Sequence, residues 1–274
     1  MDGGYRMTPT VVAKIARDVL GALEFLHDHL QVVHRDVKPG NILLNREGQA
    51  KLADLGIVTY PGQVQIEAAT SVSAATANSD AASETPAETP AIEWIGTMTY
   101  MSPERLTGDT YSYSADIWSL GIVIVEAAVG RYPLSDVTLS SDKLEFWDLL
   151  DLVRNGECPA NLLCDMGCEW ESLQVFAAAC LAKSHTQRPR ARQLLDASFP
   201  GILAGDGDFF LDLATVAGKA ALAEWVEMSL SRGGEGLQDS LQIADAQGIN
   251  SKCAGAMSAE EMHVDECLEE DGWL

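Results

Sequence analysis

The stretch that most constrains this chain is His34-Arg35-Asp36-Val37-Lys38-Pro39-Gly40-Asn41. It gathers charged and polar side chains around Pro39 and Gly40, which oppose regular structure, so it must be a loop. Ahead of it, apolar residues from Val11 to Leu26 recur at helical spacing, which predicts a helix over 10–30 with Thr8 or Thr10 as its cap. Behind it, Ile42-Leu43-Leu44 and residues 50–53 flank a turn at 45–48 and predict a hairpin of two short strands. The hairpin delivers a second acid, Asp54, 18 positions after Asp36. Loop and hairpin together hold two carboxylates beside one another on a rigid support.

Charge narrows the partners. A net charge of −23 over 274 residues repels nucleic acid and anionic membrane surfaces alike, so neither is expected as a partner. The longest apolar run, residues 117–129, carries Glu126 and falls short of the roughly 20 residues that span a bilayer. The first ten residues lack a basic segment followed by an apolar core and do not read as a secretory signal. The expected location is the cytoplasm, extending to the nucleus. Six cysteines are scattered without a CxxC pair, no histidine sits close to the group at 158–168, and they read as reduced, mostly structural thiols.

The composition changes sharply after Asp54-Leu55-Gly56. Residues 61–91 are dominated by Ala, Ser, Thr, Glu and Pro, with no lysine, arginine or aromatic residue, too polar to bury a core, and predict a disordered insertion. Order resumes at Trp94. Residues 114–129 are apolar nearly all round, as a helix at the centre of a large domain should be, and Gly130 should stop it. Further helical patterns cover 142–154, 169–182 and 191–197, with an amphipathic segment at 209–230. Residues 200–274 hold 15 acidic and 3 basic residues, −12 of the −23, and predict an acidic tail that is partly helical or disordered.

The eight-residue loop matches the protein-kinase catalytic-loop pattern H-R-D-x-x-x-x-N at every defined position. Asp54-Leu55-Gly56 stands where that family has D-F-G, with Leu55 in the apolar slot of Phe. GTMTYMSPERL at 96–106, YSYSADIWSLGIVIVEAAVGRYPL at 111–134 and CLAKSHTQRPRA at 180–191 extend the likeness. Residues 1–199 resemble the C-terminal lobe of a eukaryotic protein kinase and are most similar to the MAP kinase kinases. The resemblance implies a mainly α (α+β) fold with small β-hairpins, and transfer of the ATP γ-phosphate to Ser/Thr, and by extension Tyr, hydroxyls of a protein. It implies ATP and Mg2+ as cofactors, a MAP kinase as substrate and an upstream kinase as activator.

Phosphoryl transfer asks a protein to position two oxygens in line and to neutralise phosphate charge. In that scheme Asp36 accepts the hydroxyl proton and Lys38 neutralises the transferred phosphate. Asn41 and Asp54 hold Mg2+, and Leu43 packs beneath adenine. Thr97 resembles the threonine that hydrogen-bonds the catalytic Asp and Lys. Glu104 should pair with Arg188, and Asp116 should hold the backbone at His34 and Arg35. Arg35 is the residue that meets a phosphate on the activation segment in similar kinases. Counting back from Gly96 places Glu93 and Thr89 at the family's two phosphosites, Glu93 as standing negative charge and Thr89-Pro90 as a phosphosite, or as positions that have simply drifted.

Within these 274 residues there is no Gly-rich phosphate loop, no strand lysine of the V-A-I-K type and no helix glutamate to fix it. Those elements are expected N-terminal to Met1, in a fuller kinase of which this chain is a part. The other reading is a short protein that keeps the helical lobe as a non-catalytic scaffold or decoy. Weak or no ATP turnover is expected of these residues alone.

Overall fold

A computed structural model describes residues 7–55, 61, 98–134, 146–196, 216–231 and 242–243. Helix α1, Pro9–Glu24, starts at Thr8, whose Oγ1 accepts the Val11 N–H at 3.4 Å. Pro9 sits at the first turn, where its missing donor costs nothing. The 10–30 segment is not one uniform helix. Its last part is a π-helical turn, Phe25–His29, in which Leu26 and His27 continue the buried stripe of α1.

The loop ends in a 3-10 turn, Pro39–Asn41, and enters β1, Ile42–Leu44, which pairs antiparallel with β2, Ala50–Leu52. Ile42, Leu44, Ala50 and Leu52 are buried. Leu43 and Lys51, opposite each other in the register, lie on the other face and are half-buried. The turn between the strands is closed by Asn45, whose Oδ1 accepts the Glu47 and Gln49 N–H groups. Gly48 supplies the positive φ, 75°, that it requires. Asp18 of α1 accepts the Ala50 N–H at 2.9 Å and fastens the hairpin to the helix.

Five further helices of the lobe follow: α2, Pro103–Leu106; α3, Ser114–Val129; α4, Phe146–Asn155; α5, Glu171–Cys180; and α6, Ala191–Leu195. The 3-10 turns Pro159–Leu163 and Cys168–Trp170 precede α5. Beyond them lie α7, Val216–Ser231, packed on α1, and β3, Gln242–Ile243. The sheet order is β2-β1-β3, with β3 parallel to β1, so the two-stranded hairpin read from the sequence gains a third strand. Two residues are too short a run to leave a periodic signal.

Helix α3 is the centre. Twelve of its sixteen residues are buried, and α1 and α5 pack against it. Gly130 caps it in the left-handed region, φ 78°, and donates its N–H to the Glu126 carbonyl. The helix expected over 142–154 begins at Phe146, residues 141–145 lying outside the described residues. The segment expected over 169–182 starts with a 3-10 turn and ends at Cys180. The 61–91 insertion, Pro61 excepted, and the tail from 244 also lie outside them. No helix among the described residues is long and apolar enough to cross a membrane.

At Gly121 of α3 a Cβ would stand 2.8–2.9 Å from side-chain atoms of Cys180 and Leu181. Helix propensity would reward Gly121→Ala by about 1 kcal/mol, but overpacking of a full core costs about 1–3 kcal/mol. The variant is therefore expected to be less stable in urea denaturation, and a gain in stability would show that α3 and α5 pack more loosely than this.

Candidate active site

The loop is hung on Asp116, in the first turn of α3 and 1% exposed. Its Oδ2 accepts the His34 backbone N–H and the His27 Nε2–H, each at 2.8 Å, and its Oδ1 accepts the Arg35 N–H at 2.8 Å. Burial alone would raise the pKa of this carboxyl. The His27 hydrogen bond and the neighbouring charges and N–H donors overcome it and leave the carboxyl below its usual range.

His34 links the two halves of the site. Its Nδ1 accepts the Asp36 N–H at 3.3 Å and its Nε2 donates to the Ala53 carbonyl at 3.2 Å. Those roles require the neutral imidazole with the proton on Nε2. Burial holds its pKa below the ordinary value, against the opposing pull of Asp116. The hydrogen bond from the Ala53 N–H to the Asn41 carbonyl, 2.8 Å, closes the hairpin onto the loop and brings the Asp54 backbone to its side. Arg35 and Asp54 both adopt left-handed backbone, φ 74° and 65°. Such conformations cost about 1–3 kcal/mol each and persist only where surrounding contacts enforce them.

Asp36 is engaged through one oxygen. Lys38 Nζ lies 2.6 Å from Oδ2, and Asn41 Nδ2 donates to both Oδ2 and the Asp36 carbonyl at 2.8 Å. Among the described residues no hydrogen bond reaches Oδ1, which keeps it available to a proton donor. Because Asn41 uses its amide nitrogen on Asp36, its amide oxygen is left for another ligand. That oxygen and the Asp54 carboxylate are hard donors of the kind Mg2+ prefers, so the residues present fit the ion. Leu43 sits on the half-buried face of the hairpin, away from the core.

Two buried contacts fix the segment that runs into α2. Glu104 and Arg188 form a bidentate pair, 2.6 and 2.7 Å. Arg188 also donates to the Ala182, Ser114 and Lys183 carbonyls and lies 5.0 Å from the centroid of the Trp118 ring. Burial disfavours the charged Glu104, but the Arg188 contact outweighs it and holds the carboxyl below its usual range. Removing one partner of such a pair costs about 3–5 kcal/mol. Tyr100 donates to Glu126 Oε2 at 2.7 Å, while its carbonyl accepts from Ser119 Oγ at 2.7 Å. Burial pushes Glu126 up, and the Tyr100 bond only partly opposes it.

The structure thus gathers His34, Asp36, Lys38 and Asn41, with the Asp54 backbone adjoining and Asp116 beneath. Thr89, Glu93 and Thr97 lie outside the described residues. Sequence reading missed His27, Tyr100 and Glu126 as parts of this arrangement. The one available signal was Glu126, a carboxylate in an otherwise apolar run that had to find a donor.

A protein kinase domain model matches residues 3–200. The chain belongs to the protein kinase family. Among its curated relatives, mitogen-activated protein kinase kinase 5 of Leishmania mexicana is 37% identical over 201 residues, covering 71% of this chain and 33% of the relative. Dual specificity mitogen-activated protein kinase kinase 1 of Dictyostelium discoideum is 42% identical over 123 residues, 45% of this chain and 15% of the relative. Dual specificity mitogen-activated protein kinase kinase sek-1 of Caenorhabditis elegans is 35% identical over 199 residues, 72% of this chain and 50% of the relative. Within its family the chain is therefore similar to MAP kinase kinases, and it spans half or less of each of these three.

Because folded His34 resists protonation, the unfolded chain binds its proton more readily. Its stabilising contribution is complete above ~6.5 and is lost as pH falls below that value. Urea denaturation should show stability falling more steeply between about pH 7.5 and 5.5 in the unsubstituted chain than in His34→Gln. Equal slopes would place the buried proton balance elsewhere.

Proposed function

We propose that this protein transfers the γ-phosphate of ATP to Ser/Thr hydroxyls, and to Tyr, of a protein substrate. We assign a MAP kinase as that substrate and an upstream kinase as the activator. The reading places its work in the cytoplasm, extending to the nucleus. The observation that carries it is Asp36, held through Oδ2 by Lys38 and Asn41 with Oδ1 left to receive a proton. Similarity to MAP kinase kinases supports the substrate class.

Each residue has a task in that reaction. Asp36 Oδ1 accepts the proton of the incoming hydroxyl as the oxygen attacks phosphorus. Lys38, already beside Asp36, neutralises the phosphate in transfer. Asn41, through its amide oxygen, and Asp54 hold Mg2+, which when bound supplies charge neutralisation for the ATP phosphates. Leu43 offers apolar surface to adenine. Arg35 meets a phosphate on the activation segment, where Thr89 is the phosphosite, Glu93 the standing negative charge and Thr97 a hydrogen-bond partner of Asp36 and Lys38.

The test is phosphorylation of an inactive MAP kinase by the protein as it is made in its own cells. Asp36→Asn preserves shape and removes the base, so the rate should fall on the order of 10²–10⁴-fold while MAP kinase binding persists. Binding without transfer by the unsubstituted protein would instead identify a non-catalytic kinase lobe that holds its partners.

A further inference from the structure

Arg105, the residue after Glu104 on α2, is partly buried and has no carboxylate partner among the described residues. Its Nη1 donates instead to the carbonyl oxygen of Arg35 at 2.5 Å. Its guanidinium lies 5.3 Å from the centroid of the Tyr111 ring, and the Arg35 guanidinium approaches the same ring at 5.9 Å. Burial is the main force against a cation here and Arg35 adds to it, while Tyr111, Asp116 and Asp36 oppose it. Two guanidinium groups thus share one ring, and the buried Tyr111 hydroxyl has no hydrogen-bond partner among the described residues.

The acceptor explains it. The Arg35 carbonyl belongs to the peptide that joins Arg35 to Asp36, and the N–H of that peptide is held by His34 Nδ1. The peptide plane immediately before the base is therefore clamped at both ends, by Arg105 at its oxygen and by His34 at its nitrogen. The clamp acts where it is most needed, since Arg35 has left-handed backbone and would relax without restraint. Lysine at 105 could donate one hydrogen bond to the carbonyl but would lose the planar stacking on Tyr111.

We propose that Arg105 is a positioning residue: through the Arg35 carbonyl it sets the orientation of Asp36. The adjacent residues Glu104 and Arg105 then give α2 two attachments, Glu104 to Arg188 in the helical core and Arg105 to the catalytic loop. Seating of α2 and alignment of the base become one event. The kinetic part of this proposal rests on the kinase reading above; the structural part does not.

Hydrogen exchange followed by mass spectrometry on the full chain tests it without requiring turnover. In Arg105→Met, exchange at the Asp36 and Val37 amides should rise at least tenfold while the interior of α3 stays protected, and Arg105→Lys should restore most of the protection. In phosphorylation of an inactive MAP kinase, Arg105→Met should lower kcat about tenfold or more and leave KM within about twofold, with Arg105→Lys intermediate. Unchanged exchange at Asp36, or an increase shared equally by α3, overturns the proposal. Absence of phosphotransfer in the unsubstituted protein counts against the kinase reading alone, because the exchange result still decides whether the clamp exists.

Discussion

A single desolvated carboxylate organises the site. Asp116 accepts two consecutive backbone N–H groups, from His34 and Arg35, and a third hydrogen bond from His27. Putting a carboxylate in a core is costly unless it is fully hydrogen-bonded, and here its donors come from the loop that must be held and from the helix leading into it. The cost of burying the charge and the strain of the left-handed Arg35 are thereby offset by the same contacts. Because Asp116 is anchored in the most buried helix of the lobe, the loop inherits the rigidity of the core.

The same helix supports the other boundary of the site. Ser119 and Glu126 of α3 hold Tyr100, and Arg188, stacked on Trp118 of α3, holds Glu104. Successive turns of one helix thus meet the catalytic loop at one end and the approach to α2 at the other. Close packing at Gly121 keeps that helix in register with α5. The chemistry that MAP kinase kinase relatives suggest needs this coordination, since phosphoryl transfer depends mainly on position and charge.

Much of this was legible in the sequence. The α1 stripe, the hairpin around Asn45 and the all-apolar α3 with its Gly130 stop follow from period and punctuation. Glu104 and Arg188, 84 residues apart, carry no local signal and were named only through resemblance to a family. His27 falls on the same buried stripe as Leu20 and Leu23, but a lone imidazole there does not name its partner, and Asp116 lies 89 residues further on. Tyr100 and Arg105 were likewise invisible, because each acts on a distant partner, one on a side chain and the other on a backbone carbonyl that any residue could supply. The strand β3 was missed because its whole information content is two residues and a register.

Replacing Asp116 by Asn probes the central claim most directly, since the amide keeps the size but can satisfy N–H donors with only one oxygen. At about 1–3 kcal/mol for each orphaned buried group, urea denaturation should show a loss of about 3 kcal/mol or more, and a crystal structure of the variant should show Arg35 leaving the left-handed region. A variant that stays within about 0.5 kcal/mol of the parent with Arg35 unmoved would contradict the claim that the loop hangs on this carboxylate.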